Sequence, residues 1–501
     1  MAVFLPVVIA LIALGLRWPY LAILPRFTDE TLEVLHSLAI ARGEHLPLTN
    51  YDSYYGALFN YLIALPLALL GPHPLLPRLT VMVLGAATIV PTYLLGAQVG
   101  NRAVGAIAAL LVATSSAHIA VNSHIAWSNC LTPLFTTLGF WLLARAQMRS
   151  SGPALSGAGL AFGLALQTHP AVVAFAPAVG LLLFTRGMRV IHWRWLGFSV
   201  LAFAIGYGNM IAYNLASDFD SIRSAQRMSS EYAQADDADI GAQTGAAMLL
   251  LLARLVGGAV DQRSDALSYL LDPGVILGGI ACVVGLALLW RRGMVLPALA
   301  LAAFLLLLPL VNTKFRTLVT IRYLMPAYPL LAVAIGVAID AGARRLRGRS
   351  THFRAIVVGL FVVAMVVPQL SSLHRHYDRL LRTGDTNERI LRLADVIGQS
   401  RRLKEMVILD EGMGSELPGT GVTEIRGFRY LLTMSGASHS AVRITPRRLE
   451  DVLQTEPSVI AVIHARDAEQ VERRLSLQPL EARARAVTGR GSDYQAYRVE
   501  R

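Results

Sequence analysis

The sequence predicts a polytopic α-helical membrane protein of about 11 transmembrane helices, with interfacial helices in its outer loops and a small soluble α/β domain at the C-terminal end. Three observations carry this expectation. The chain of 501 residues is 54% hydrophobic and only 16% charged, whereas soluble domains carry roughly 25% charged residues. Its apolar residues gather into repeated stretches of about 16 to 22, the helix length that crosses roughly 30 Å of hydrocarbon. Its basic residues recur between alternate stretches, the asymmetry that orients helices in a membrane.

The first stretch, near 2–24, lacks the basic leader of a cleavable signal peptide and is interrupted by Arg17 and Trp18, so it reads as a retained helix. Further stretches lie near 78–98, 103–121, 130–147, 155–168, 171–184, 195–213, 273–290, 295–311, 322–340 and 354–372. With the N-terminus in the cytoplasm, the inner loops carry Arg102; Arg145 and Arg149; Arg186, Arg189 and Arg194; Arg291 and Arg292; and the cluster Arg344, Arg345, Arg347, Arg349 and Arg354. Every short inner loop is then basic. Two further apolar stretches, 59–70 and 246–260, fit poorly as spans. At 1.5 Å per residue the second reaches only about 23 Å, and Arg254 within it would cost at least about 2.5 kcal/mol at mid-membrane. Both read as helices lying along the outer interface.

This topology places two polar loops outside: residues 25–77, and the acidic segment 214–244 with Asp218, Asp220, Glu231, Asp236, Asp237 and Asp239. Beyond Ser371 the composition becomes that of a soluble domain. The stretches 406–409 and 459–463 are strand-like, and 387–397, 446–453 and 467–475 are helix-like. The chain therefore divides into a membrane domain, 1–372, and an extracytoplasmic α/β domain, 373–501. The net charge of +12 sits in inner loops and the tail, which argues for membrane lipids as partners and against nucleic acid. Cys130 and Cys282 lie within apolar stretches without CxxC or metal spacing, so no disulfide framework, metal site or cofactor is implied.

The outer loops hold the residues suited to chemistry. Thr28-Asp29-Glu30 follows the first span directly; a Thr cap and two first-turn acids also suit a plain helix start. The aromatic run Tyr51-Asp52-Ser53-Tyr54-Tyr55-Gly56 combines interfacial anchoring with groups that can line a sugar site. Further along come Gly100-Asn101-Arg102, Ser123-His124-Ile125-Ala126-Trp127-Ser128-Asn129, Gln167-Thr168-His169-Pro170 and Arg322-Tyr323-Leu324-Met325-Pro326, with Arg78 opening a helix. Arg322 stands beside a loop containing Lys314 and Arg316, a cationic edge suited to phosphate or to lipid headgroups.

In their order and shared outer placement, these elements resemble the GT-C superfamily of membrane glycosyltransferases, over roughly residues 1–345. The similarity is to protein O-mannosyltransferases, which use dolichyl- or polyprenyl-phosphate mannose, and to lipid A aminoarabinose transferases. The resemblance implies an inverting transferase of the plasma (inner) membrane of a prokaryote. It would move a hexosyl or pentosyl group from a polyprenyl-phosphate sugar donor to a hydroxyl of a protein, glycan or lipid acceptor. Asp29 falls where such enzymes carry the general base, with Glu30 as a second catalytic candidate. His169 falls where many carry a Lys that contacts the donor phosphate, and Arg322 and Tyr323 complete the expected phosphate-binding set. Tyr55, Asp52, His124, Trp127 and Asn129 are the expected sugar- and acceptor-binding residues. Asn129 departs from the pattern, because many relatives have an acid there, and an amide cannot act as a base. Two other classes remain open. A secondary transporter would keep ionisable groups within its spans, and a non-catalytic scaffold would bind a partner through its tail.

Overall fold

The protein is described from a computed structural model, which defines residues 4–23, 30–184, 193–234, 240–260, 271–312, 321–346, 348–383, 406–409, 430, 433–434, 441–443, 458–464, 476–479 and 494–500. Asp29, Lys314, Arg316 and the helix-like stretches 387–397, 446–453 and 467–475 lie outside the described residues.

Among the described residues, four helices are long and apolar enough to cross a membrane: Leu75–Val99, Pro273–Arg291, Ile321–Arg345 and Thr351–Arg382. Two bent pairs raise the number to six if each is one span. Arg102–Thr114 meets Ser116–Ser123 at 64°, and Trp193–Gly206 meets Gly208–Ala216 at 68°. The stretches expected as spans near 2–24, 171–184 and 295–311 form the shorter apolar helices Phe4–Tyr20, Pro170–Leu182 and Leu296–Val311. The stretch 59–70 forms the helix Leu58–Leu70. It buries Phe59, Asn60, Ile63 and Leu67 and exposes Tyr61, Leu65 and Leu69, so the helix is apolar on both faces and lacks the polar face of an amphipathic interfacial helix.

Polar punctuation sets where helices begin and end. Asn101, in extended backbone, accepts from the N–H groups of Ala103 and Val104 and so starts Arg102–Thr114. Asp272 caps Pro273–Arg291, with Pro at the first position. The turn between Thr132–Arg149 and Gly152–Thr168 is made by Ser150 at φ 51° and by Ser151, whose hydroxyl accepts from Ala154 N. Small residues then permit close packing. A Cβ added at Gly163 would lie 2.4 Å from Phe203 O, so Gly152–Thr168 and Trp193–Gly206 approach as only glycine allows.

The 64° break at Ser115 gives several of its freed polar groups new partners. Ser115 is extended (φ −61°, ψ 115°) and its hydroxyl accepts from His118 N. Ala117 N, released from the upstream helix, donates to Gly258 O at 3.1 Å, and the Ser116 hydroxyl bonds the same carbonyl. Backbone groups freed by a break in an apolar setting need such partners.

Five strands are described near the C-terminal end: β1 Met406–Leu409, β2 Ala441–Arg443, β3 Ser458–His464, β4 Ser476–Pro479 and β5 Tyr494–Glu500. They form one sheet in the order β2-β1-β3-β5-β4. β1 runs parallel to β2 and β3, and β5 runs antiparallel to β3 and β4. The two strand-like stretches of the sequence are β1 and the body of β3.

The chain divides into two compact units. One comprises Met1–Pro19, His45–Leu62 and Thr80–His376; the other comprises Tyr20–Glu44, Ile63–Leu79 and Tyr377–Arg501. The division expected after residue 372 falls within a single helix, Thr351–Thr383.

Candidate functional site

The residues singled out in the sequence fall into two groups, one in each unit. In the unit that includes Tyr20–Glu44, Glu30 opens the helix Glu30–Ala41, where a carboxylate favours the helix dipole. Its side chain does more than that. Glu30 and Arg78 are both fully buried, and the guanidinium grips the carboxylate at two points, Nε to Oε1 at 3.2 Å and Nη2 to Oε2 at 3.1 Å. Arg78 Nη1 also donates to the carbonyls of Leu21 and Ile23 at 3.4 and 3.3 Å. From the C-terminal part of the chain, the hydroxyl of Tyr430 donates to Glu30 Oε1 at 3.4 Å. Burial, then the adjacent carboxylate, pushes the Tyr430 phenol well above its ordinary range, which keeps it a donor. Tyr20 and Tyr377 stack at 4.6 Å in the same unit.

This group ties the backbone at Leu21 and Ile23, the helix containing Arg78 and Tyr430 into one buried knot. Arg78 was legible only as a residue opening a helix, and Tyr430 lies in a stretch with no local motif. Their convergence on Glu30 spans 48 and 400 positions, which no periodicity records.

The other unit gathers Tyr55, Trp127, His169, Arg322 and Tyr323. Arg322 Cζ lies 4.8 Å from the Trp127 ring centroid and 4.9 Å from that of Tyr323, and its Nη2 donates to the Tyr323 hydroxyl at 3.0 Å. Two aromatic faces therefore hold one guanidinium, each favouring its charge. The His169 ring lies 6.0 Å from that of Tyr323 and 5.7 Å from that of Tyr55. His169 caps the turn Pro170–Phe175, its Nδ1 accepting from Ala171 N at 3.0 Å. An accepting Nδ1 places the ring proton of the neutral imidazole on Nε2. The Tyr55 loop is fixed against this turn by Gly56 N donating to Gln167 O at 2.8 Å. A Cβ at Gly56 would lie 2.8 Å from Gln167 Cβ, which cannot swing aside, so the approach requires glycine.

The remaining expected site residues have defined local partners. Asp52 Oδ2 accepts from Tyr54 OH at 3.1 Å, and the Tyr54 and Tyr55 rings lie 4.3 Å apart. Asn129 Oδ1 accepts from Thr132 Oγ1 at 3.4 Å. His124 and Trp127 are buried, and each directs a ring N–H to a carbonyl: His124 Nε2 to Arg17 O at 2.7 Å and Trp127 Nε1 to Val121 O at 3.1 Å. These two side chains therefore build the loop as well as line it.

Residues 56–211 match the model of the family described as dolichyl-phosphate-mannose-protein mannosyltransferase. The chain is similar to the crystal structure of ArnT from Cupriavidus metallidurans bound to undecaprenyl phosphate. The TM-score is 0.62 at 13% identity, over 99% of this chain and 97% of that one. It is also similar to the apo oligosaccharyltransferase of Archaeoglobus fulgidus, with a TM-score of 0.53 at 12% identity, over 93% of this chain and 70% of that one. No curated protein sequence matches it significantly. At these identities the structural likeness is one of fold.

Proposed function

For a chain with the GT-C fold of membrane glycosyltransferases, we propose transfer of a sugar from a polyprenyl-phosphate donor to an acceptor hydroxyl at the outer face of the membrane. The observation that carries this reading is the guanidinium of Arg322 held between Trp127 and Tyr323, with His169 beside Tyr323. When a glycosyl phosphate breaks, negative charge develops on the departing phosphate, and a preoriented cation with an imidazole N–H stabilises that charge. The family model that the chain matches is named for a dolichyl-phosphate donor, and the ArnT crystal structure holds undecaprenyl phosphate. Both are consistent with such a leaving group here.

In this reading Asp29 removes the acceptor proton as the anomeric carbon is attacked, and a single displacement inverts that centre. Glu30 is a positioning residue. Its carboxylate is engaged by Arg78 at two points, and removing that partner from a buried guanidinium costs about 3–5 kcal/mol. Tyr55, Asp52 and Asn129 supply polar contacts to sugar or acceptor.

Purified protein given labelled polyprenyl-phosphate sugars and a hydroxyl acceptor should release free polyprenyl phosphate. No release with any donor would defeat the assignment. That outcome would favour a transporter, for which the two sharply bent helix pairs are the supporting feature. The orientation proposed with this function puts the N-terminus inside and the tail outside. A cysteine at Ser438 should then react with an impermeant thiol reagent on intact cells while one at Ser350 does not, and the reverse pattern overturns the orientation.

A further inference from the structure

We propose that Arg17 is a positioning residue: its buried guanidinium fixes the break between Arg102–Thr114 and Ser116–Ser123 and thereby sets the loop whose Trp127 braces Arg322. The side chain is fully buried. Its Nη1 donates to Ala13 O at 2.9 Å in its own helix and to Ala113 O at 3.1 Å. Its Nε donates to Ser123 Oγ at 2.9 Å. Nη2 lies 3.0 Å from His118 Nδ1, and because a guanidinium only donates, that nitrogen is the acceptor.

The acceptors lie on both arms of the bent pair. Ala113 is in the last turn before the break, and His118 and Ser123 are in the short helix after it. A chain that leaves a helix through one extended residue has no intrinsic angle, so contacts across the break must set it. The Gly258 carbonyl holds only the downstream arm, through Ser116 and Ala117, whereas the planar fork of Arg17 touches both arms, and a lysine, with its donors on a single nitrogen, could not span the same acceptors. All four acceptors are neutral, so the group supplies geometry through hydrogen bonds.

From the short helix the constraint passes to the loop. Trp127 Nε1 donates to Val121 O at 3.1 Å, and Asn122 Nδ2 to Cys130 O at 3.2 Å. His124 Nε2 returns to the main-chain carbonyl of Arg17 itself at 2.7 Å. The loop is thus tied to the short helix at Val121 and Asn122 and to the first helix at Arg17. Trp127 then presents its ring to Arg322 at 4.8 Å. The assignment of position is independent of function; its consequence for donor binding rests on the donor-phosphate reading above.

The test uses the full-length protein in lipid nanodiscs, with undecaprenyl phosphate as the probe. Variants are Arg17→Lys, Ser123→Ala and Trp127→Leu. Backbone hydrogen exchange across 116–131 should quicken about tenfold in Arg17→Lys, the scale of one lost charge-assisted bond. Ser123→Ala should change in the same direction by less, and it carries the test if Arg17→Lys fails to fold. Undecaprenyl phosphate affinity should fall in Arg17→Lys and in Trp127→Leu, with exchange of 116–119, next to the break, unaltered in the latter. Wild-type exchange across 116–131 in the folded Arg17 variant, or in Ser123→Ala if only that one folds, overturns the proposal. So does unaltered affinity in Arg17→Lys alongside weakened affinity in Trp127→Leu. Faster exchange with unaltered affinity in both supports the positioning role and removes the donor-phosphate reading.

Discussion

Arg78 and Arg17 are both fully buried, yet they are held in opposite ways. Arg78 meets the carboxylate of Glu30 at two points, whereas Arg17 meets two carbonyls, a hydroxyl and an imidazole nitrogen. Around Arg78 charge is balanced, so the group stands or falls as a pair. Around Arg17 the interaction is divided among several neutral acceptors, so loss of one leaves the others. A buried cation can therefore serve as half of an electrostatic unit or as a multi-point hydrogen-bonding brace, and its partners tell which.

The largest expected effect breaks the pair. Glu30→Gln should lower stability by about 3–5 kcal/mol because it leaves the Arg78 guanidinium buried without its counter-charge. Adding Arg78→Met should restore part of that loss, as read by thermal or denaturant unfolding of the detergent-solubilised protein. Additive losses in the double variant would show that the two residues do not act as a unit.

The adjacent acid should behave differently. Asp29→Asn should leave the unfolding midpoint near wild type and lower transfer by about 100-fold or more, the scale of a general base. Wild-type turnover would end its assignment, and a collapse in stability would move Asp29 into the same structural role as Glu30.

The smallest expected effect concerns the tail. Tyr430→Phe removes one hydrogen bond to Glu30 and should cost about 1 kcal/mol. Its phenol is held above the ordinary value in the folded protein, so below a pH of about 10 both folded and unfolded states keep the proton. As pH rises beyond that, the unfolded chain ionises first and the stability is lost. Wild type should therefore lose stability more steeply than Tyr430→Phe in alkaline buffer, and parallel slopes would remove Tyr430 from the knot.

What the sequence disclosed depended on the range of the interaction. The helices Pro273–Arg291 and Ile321–Arg345 follow from uninterrupted apolar length, a property visible in any window. β1 follows from four apolar residues in a polar context. The stretch 103–121 also read as one span, yet its bend at Ser115 is completed by Gly258, a residue no local window includes. The site divides in the same way. His169 and Arg322 were named from motif positions, and the structure brings both to Tyr323. Arg17 read only as an interruption of the first span, since its partners lie about a hundred positions downstream. For His124 and Trp127 the sequence offers a role as sugar contacts but not their ring N–H bonds to the carbonyls of Arg17 and Val121.

Arg17 also sets an order of assembly. Ala113, the nearer in sequence of its acceptors on the bent pair, follows it by 96 residues, which at about 5–20 residues per second takes roughly 5–20 s to synthesise. During that interval the first helix offers Arg17 a single one of its acceptors, the Ala13 carbonyl, and a guanidinium short of partners is costly away from water. Arg17 therefore completes its set of partners only after the bent pair has been made, so the first helix and the bent pair finish folding together.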